Sequence, residues 1–139
     1  MKKTILLITL IVVLTLFTAC SSTEITAEVA VLTVGGKAYT HSELEALGTQ
    51  STDYTNKDNE TTTYTGTPLS ALLEDAGLTS AGDTLVFTAA DGYKADMTLD
   101  EALDCTGCIV ANDSGSLRAV MPDLSSKLQV KDLIIIDIQ

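Results

Sequence analysis

The chain has 139 residues, 45% of them hydrophobic and 4% aromatic, with nineteen acidic residues against eight basic ones for a net charge of −11. So acidic a chain repels phosphate backbones, and no cluster of Lys or Arg overrides that repulsion, which excludes nucleic acid as a partner. About 120 residues follow the N-terminal leader, the size of one ordinary domain.

The chain opens with Lys2 and Lys3, continues as an apolar run from Ile5 to Phe17 broken only by Thr9 and Thr15, and closes on Phe17-Thr18-Ala19-Cys20. Basic, apolar and small-residue segments in that order make a secretory signal. The run falls short of the about 20 residues that a spanning helix needs. Thr18-Ala19 directly before a cysteine resembles the lipobox of bacterial lipoproteins, with Phe17 where Leu is more usual. The resemblance implies that residues 1–19 are a signal peptide and that Cys20 is lipidated. The protein is then expected on the extracytoplasmic face of the cell membrane, held there by lipid alone. All nineteen acidic residues but only six of the basic ones lie past Cys20, so the mature chain carries −13 and is repelled by anionic headgroups. Residues 20–28 read as the lipidated cysteine and a short polar tether, and residues 29–139 as the domain.

Val29 to Val34 reads as a strand, and Gly35-Gly36 is a hairpin signal before Lys37-Ala38-Tyr39. Thr40 and Glu43 form a capping box for a short helix that ends near Gly48. Thr49–Thr55 and Glu60–Thr65 are Thr- and Tyr-rich strands around an Asn56–Asn59 turn. Thr67-Pro68 predicts a helix start with Thr67 as cap, followed by the buried stripe Leu69, Leu72, Leu73 and Ala76, with Gly77 as stop. Thr84–Ala89 and Tyr93–Met97 read as paired strands about Asp91-Gly92, and Thr98 with Glu101 opens another capped helix. Ile109–Ala111 and Leu117–Met121 are strands on either side of an Asn112–Gly115 turn. Leu133 to Ile138 is a near-continuous apolar run, the mark of a central buried strand. Together these predict an α+β domain, mainly antiparallel sheet with two or three short helices.

Cys105-Thr106-Gly107-Cys108 is a C-x-x-C in an exported chain. A small structural disulfide fits an oxidising exterior. Two free thiols, an exchange-active dithiol or half a metal site are the alternatives. Asp100, Glu101 and Asp104 work against a thiolate, and no second C-x-x-C completes a zinc site. His41, the single histidine, reads as an exposed helix N-terminal residue. Asp53, Asp58 and Glu60 lack the calcium-loop pattern and read as solvated hairpin charge. Arg118, the sole arginine, is expected to pair with a nearby Asp or to contact a ligand. Asp91-Gly92-Tyr93 reads as a tight turn with the tyrosine packed on the sheet.

The order Tyr64-Thr65-Gly66-Thr67-Pro68-Leu69, then Leu72-Leu73-Glu74 and Ala76-Gly77-Leu78, resembles the y-x-G-x-P-L-x-x-L-L-x-x-A-G-v segment of oxidoreductase molybdopterin-binding domains, which share the sulfite oxidase fold. Phe87 to Tyr93 is similar to that family's f-x-s-x-D-G-Y, and Leu99 to Leu103 to its l-x-e-a-l helix. Ile109 to Ala111, Gly115 to Pro122 and Val130 to Ile134 follow in the same order, so the likeness spans roughly residues 29–138. Active members hold molybdenum through a cysteine thiolate between the first helix and the y-x-G-x-P-L segment. Here that interval, Thr49 to Tyr64, has no cysteine, and hydroxyls replace a soft thiolate poorly. Asp123 and Asp132 stand where Gly and Trp are usual. The resemblance therefore implies a non-catalytic module for a ligand or envelope partner, or a redox accessory, with no metal or molybdopterin retained. Arg118, Asp91 and Tyr93 would mark its pocket. A molybdopterin oxidoreductase with an atypical metal ligand, and a thiol–disulfide protein using Cys105 and Cys108, are the alternatives.

Overall fold

The computed structural model describes residues 27–80 and 82–139. Cys20 and the signal segment lie outside these residues.

Strands β1 (Leu32–Val34) and β2 (Lys37–Tyr39) form a hairpin, and helix α1 (His41–Ala46) follows. A long hairpin of β3 (Gln50–Thr55) and β4 (Thr61–Pro68) leads into α2 (Leu69–Asp75). A second hairpin, β5 (Thr84–Ala89) and β6 (Lys94–Thr98), leads into α3 (Leu99–Asp104). β7 (Ile109–Asp113) and β8 (Ser116–Val120) then pair, a 3-10 turn covers Ser126–Leu128, and β9 (Leu133–Ile138) ends the chain. The strands make a five-stranded sheet of order β2-β1-β9-β5-β6 and a four-stranded sheet of order β3-β4-β7-β8. Only β1 with β9 is parallel, so the domain is α+β and mainly antiparallel.

One face of each sheet shares a core with the helices, built on Leu69, Leu72 and Leu73 of α2, Phe87, Ile136, Val110 and Ala119. Both capping boxes form, Thr40 with Glu43 on α1 and Thr98 with Glu101 on α3. α2 ends as its sequence predicts: Gly77 turns left-handed at φ 76° and the Leu78 N–H returns to the Leu73 carbonyl.

Several boundaries differ from expectation, each for a physical reason. Thr67 caps no helix. β4 stays paired with β7 through Pro68, and the buried Thr67 hydroxyl donates instead to the Leu44 carbonyl at 2.8 Å. β1 begins only at Leu32, because its partner β2 ends at Tyr39 and turns into α1, which leaves Val29 77% exposed. The β7–β8 turn is only Ser114-Gly115, so Asn112 and Asp113 are strand residues paired with Leu117 and Ser116. β9 is central, but Ile134 and Ile135 are 40% and 37% exposed. Against β5 the register slips by one residue at Ile134, so two successive side chains fall on the outer face, which an antiparallel sheet can leave to water.

Two features position the rest. Gly66 of β4 lies so close to β7 that a Cβ there would sit 2.2 Å from the Val110 carbonyl oxygen. No side chain fits, and the approach draws the β3–β4 hairpin tightly against β7. Across the molecule, the Asp75 carboxylate accepts from Lys37 Nζ at 2.6 Å and from the Tyr39 hydroxyl at 2.7 Å, tying β2 to the end of α2. The Lys37 bond, seconded by Tyr39, holds the Asp75 carboxyl below its ordinary range. Burial, with the carboxylate beside it, pushes the Tyr39 hydroxyl up to about 12. At the N-terminal side, Glu28 accepts from both the backbone and the hydroxyl of Ser42, seating the start of the domain on the first turn of α1.

Gly66→Ala is expected to cost at least about 2 kcal/mol, read as a lower urea midpoint, because backbone atoms must move to admit the methyl. An unchanged midpoint would mean the two strands part freely. The depressed Asp75 pKa makes its contribution present above the unfolded carboxylate range and lost as pH falls through the folded value. Asp75→Asn should therefore flatten the acid side of the stability–pH curve, measured by denaturant melts across that range.

Candidate functional site

The alternation of strand residues decides which side chains meet on the second face of the four-stranded sheet. β3 and β4 pair Tyr54 with Thr62 and Thr52 with Tyr64, and β4, β7 and β8 align Gly66, Ala111 and Arg118 across the sheet. Ile109, Ala111 and Val120 form a small second core on this face, with Tyr54 and Tyr64 packed over it. Beside that core lies a cavity of about 430 Å³ bordered by Tyr54, Lys57, Thr62, Tyr64, Arg118 and Lys131.

Arg118 lines this cavity. Its side chain is 10% exposed and its Nη1 donates to the Tyr64 hydroxyl at 2.8 Å and to Asp113 Oδ2 at 3.1 Å. The guanidinium lies 4.9 Å from the centre of the Tyr64 ring. Its Nε is buried and has no partner among the described residues. An arginine cannot shed its charge, and a buried unpaired donor costs about 1–3 kcal/mol. The fold therefore holds a fixed cation with one buried donor atom, Nε, unpartnered. Arg118 has the aspartate partner expected from sequence, and it borders a cavity.

The surroundings sharpen the contrast with the rest of the surface. Lys57, Arg118 and Lys131 are half of the six cations past Cys20 in a segment of charge −13, and all three line this one cavity. Asp58 and Glu60 share its rim, but Glu60 is engaged by Asn56, whose side chain ties up the hairpin tip.

The other singled-out residues lie elsewhere. The Asp91 carboxylate accepts from the Tyr93 N–H at 2.9 Å in the β5–β6 turn, and neither residue lines the Arg118 cavity. The expected grouping of Arg118, Asp91 and Tyr93 in one cleft is thus corrected, because β8 and the β5–β6 turn belong to different sheets. Tyr93 touches the site only at one remove, since its hydroxyl holds the Lys127 carbonyl in the 3-10 turn whose Ser126 sits on the rim. His41 is half-buried beside an apolar cavity of about 280 Å³ with Val31, Leu117 and Leu133. Asp53 points to the outer side of the hairpin, where Thr63 donates to it at 2.6 Å, and no metal-binding group of His, Cys, Asp and Glu exists among the described residues.

Cys105 and Cys108 are joined in a disulfide that closes the loop after α3. The loop is clamped onto β3. Gln50 Nε2 donates to the Thr106 carbonyl at 2.6 Å, and Thr52 Oγ1 to the Gly107 carbonyl at 2.8 Å. The sulfurs do not reach the Arg118 cavity; Cys105 instead borders an open hollow with Asp100, Glu101, Asp104 and Asp123.

Tyr54, Tyr64 and Asp113 were not read as site residues from sequence. The signal for the tyrosines was their shared parity on paired strands. Asp113 was hidden by being assigned to a turn.

The two sheets with three short helices define a sulfite-oxidase-like α+β domain. The chain matches the model of the oxidoreductase molybdopterin binding domain over residues 14–138 and belongs to that family. No curated protein matches it. Among solved structures it is similar to the sulfane dehydrogenase SoxCD from Paracoccus pantotrophus, with a TM-score of 0.63 and 17% identity over 77% of this chain and 37% of that one. At that identity the likeness is one of fold, and the chain spans well under half the length of the SoxCD chain.

The interval in which the family's resemblance implies a metal-holding thiolate is the β3–β4 hairpin, whose inner face borders the cavity. It offers hydroxyls, amides, one lysine and carboxylates, and both cysteines of the described residues are spent on each other. That donor set does not fit a thiolate-held molybdenum.

Proposed function

We propose that this chain is a lipid-anchored extracytoplasmic protein whose molybdopterin-binding-type domain binds a small anion without catalysing a redox reaction. The observation that carries the reading is the buried, permanently charged Arg118, with its Nε unpartnered beside a hairpin that lacks any thiolate. A carboxylate, sulfate or phosphate oxygen would pair with the guanidinium, and Lys57 and Lys131 on the same cavity wall would draw such an anion against the negative charge of the domain. Tyr54 and Tyr64 supply flat walls and hydroxyls that fix its orientation.

A molybdopterin oxidoreductase with an atypical ligand is the second reading, favoured only by family membership. A thiol–disulfide catalyst is disfavoured by the carboxylates around Cys105, which oppose the thiolate such a catalyst needs. Anchoring rests on the Lys2–Cys20 leader, and with that lipid the domain works close to the outer surface of the membrane.

Titrating the protein with inorganic sulfate should shift the Arg118 Nε–H resonance saturably. Arg118→Gln should weaken binding about tenfold or more, the worth of a charge-assisted hydrogen bond. Lys57→Gln and Lys131→Gln, at exposed rims that leave the fold intact, should each weaken it by about two- to fivefold. Stoichiometric molybdenum or pterin in protein from anaerobic cells would overturn the non-catalytic reading. Cys20→Ser should move the protein from the membrane fraction to the soluble one and remove the lipid mass. A variant that stays membrane-bound would sink the anchor.

A further inference from the structure

We infer that the Cys105–Cys108 disulfide is a redox switch on the anion cavity, gripping the β3–β4 hairpin when closed and releasing it when reduced. The inference rests on the anion-binding reading above.

The geometry that points to it is the pair of bonds between β3 and the disulfide ring. Thr106 and Gly107, the two residues enclosed by the cysteines, give both of their carbonyls to Gln50 and Thr52 of β3. Thr52 is buried, and its cross-strand partner is Tyr64, the residue that holds Arg118. Two residues further along the same face of β3 stands Tyr54, a wall of the cavity. The switch and the site are therefore neighbours on one strand face.

The ring has no slack on its other side. A Cβ on Gly107 would lie 2.9 Å from Pro122 Cγ, so the loop is pressed between β3 and the Pro122 segment. Two thiols cannot sit at bonding distance, so reduction frees the ring to widen. With Pro122 behind it, widening displaces the Thr106 and Gly107 carbonyls and breaks the grip on Gln50 and Thr52. The base of the hairpin then loses these two side-chain bonds, and Tyr54 and Tyr64 are held less firmly over Ile109, Ala111 and Val120.

The sulfurs are placed for such a step. Cys105 is partly exposed at the edge of the open hollow, while Cys108 is 1% exposed. A dithiol reductant attacks Cys105 Sγ as its thiolate; the Cys105–Cys108 bond breaks and Cys108 leaves as a thiolate that takes up a proton. The reductant's second thiol then displaces Cys105 and departs as a disulfide, so two electrons and two protons pass to the protein. Asp100, Glu101, Asp104 and Asp123 line the approach and repel anionic thiols, so the reductant this hollow admits is a neutral or cationic dithiol.

The experiment uses the full chain, dithiothreitol as reductant and inorganic sulfate as probe. Two readouts are taken in both redox states: sulfate affinity from the Arg118 Nε–H resonance, and amide exchange across Gln50–Thr55. Reduction should raise hairpin exchange and weaken sulfate binding about fivefold or more. Because coupling is reciprocal, saturating sulfate should make the disulfide harder to reduce by the same factor, about 20 mV at fivefold for a two-electron couple. Thr52→Val, which cuts the Gly107 bond and keeps the side-chain shape, should bind sulfate in its oxidised form as weakly as the reduced protein does. Cys105→Ser/Cys108→Ser should behave as the reduced protein throughout. Equal sulfate affinity in the two states, or unchanged hairpin exchange, overturns the switch and leaves the anion site standing. An oxidised protein that binds no sulfate overturns the anion reading and the switch's function with it, even where hairpin exchange still responds to reduction.

Discussion

Where β4 crosses β7 at Gly66, two backbones meet so closely that no side chain can stand between them, and the shape of the functional face follows from that contact. It keeps the Thr-rich hairpin in register with β7 through Pro68, past the point where sequence predicts a helix to begin. It also brings Tyr54 and Tyr64 over Ile109, Ala111 and Val120, making a second small core on a sheet face that would otherwise be open. Without that apolar cover, the hairpin's inner face of Thr and Tyr would have no reason to fold against β8, and Arg118 would face water.

Burying Arg118 in so acidic a chain runs against simple expectation, since exposed cations would lower the self-repulsion of the surface. The protein instead spends its only arginine inside, with Tyr64 stacked on it and Asp113 opposite. Breaking such a buried arrangement is costly, whereas forming it yields little net stability. A poor contribution to stability, together with an unpartnered Nε, argues that the arginine is retained for what it contacts. The family's fold is present, and the hairpin in which the resemblance implies a metal-holding thiolate has no cysteine; it still builds a cavity, with oxygen donors and cations around it.

The disulfide loop, α3 and the hairpin form a chain of direct contacts from the acidic hollow to the cavity. Gln50 and Thr52 are the joint, polar side chains on a strand's inner face that reach carbonyls rather than each other. Elsewhere the domain is fastened locally, by capping boxes on α1 and α3 and by the Asp75 contact between β2 and α2. The hairpin is the one long element whose base rests on side-chain bonds to a cross-linked loop.

From sequence alone the α+β class, most strand and helix positions, both capping boxes and the family likeness could be read, because each is written in residues adjacent along the chain. Thr40 with Glu43, Thr98 with Glu101 and the leucine stripe of α2 are local patterns, and local hydrogen bonding and periodicity decide them. The length of β4, the strand role of Asp113 and the open face of β9 could not be read, since each depends on which distant strand lies alongside. The same holds for the site. Arg118 stood out by its rarity, but its partners Tyr64 and Asp113, and the separation of Asp91 and Tyr93 from it, follow from the order of strands in two sheets. Pairing across a sheet joins residues far apart in sequence, and only the folded chain sets which of them share a face.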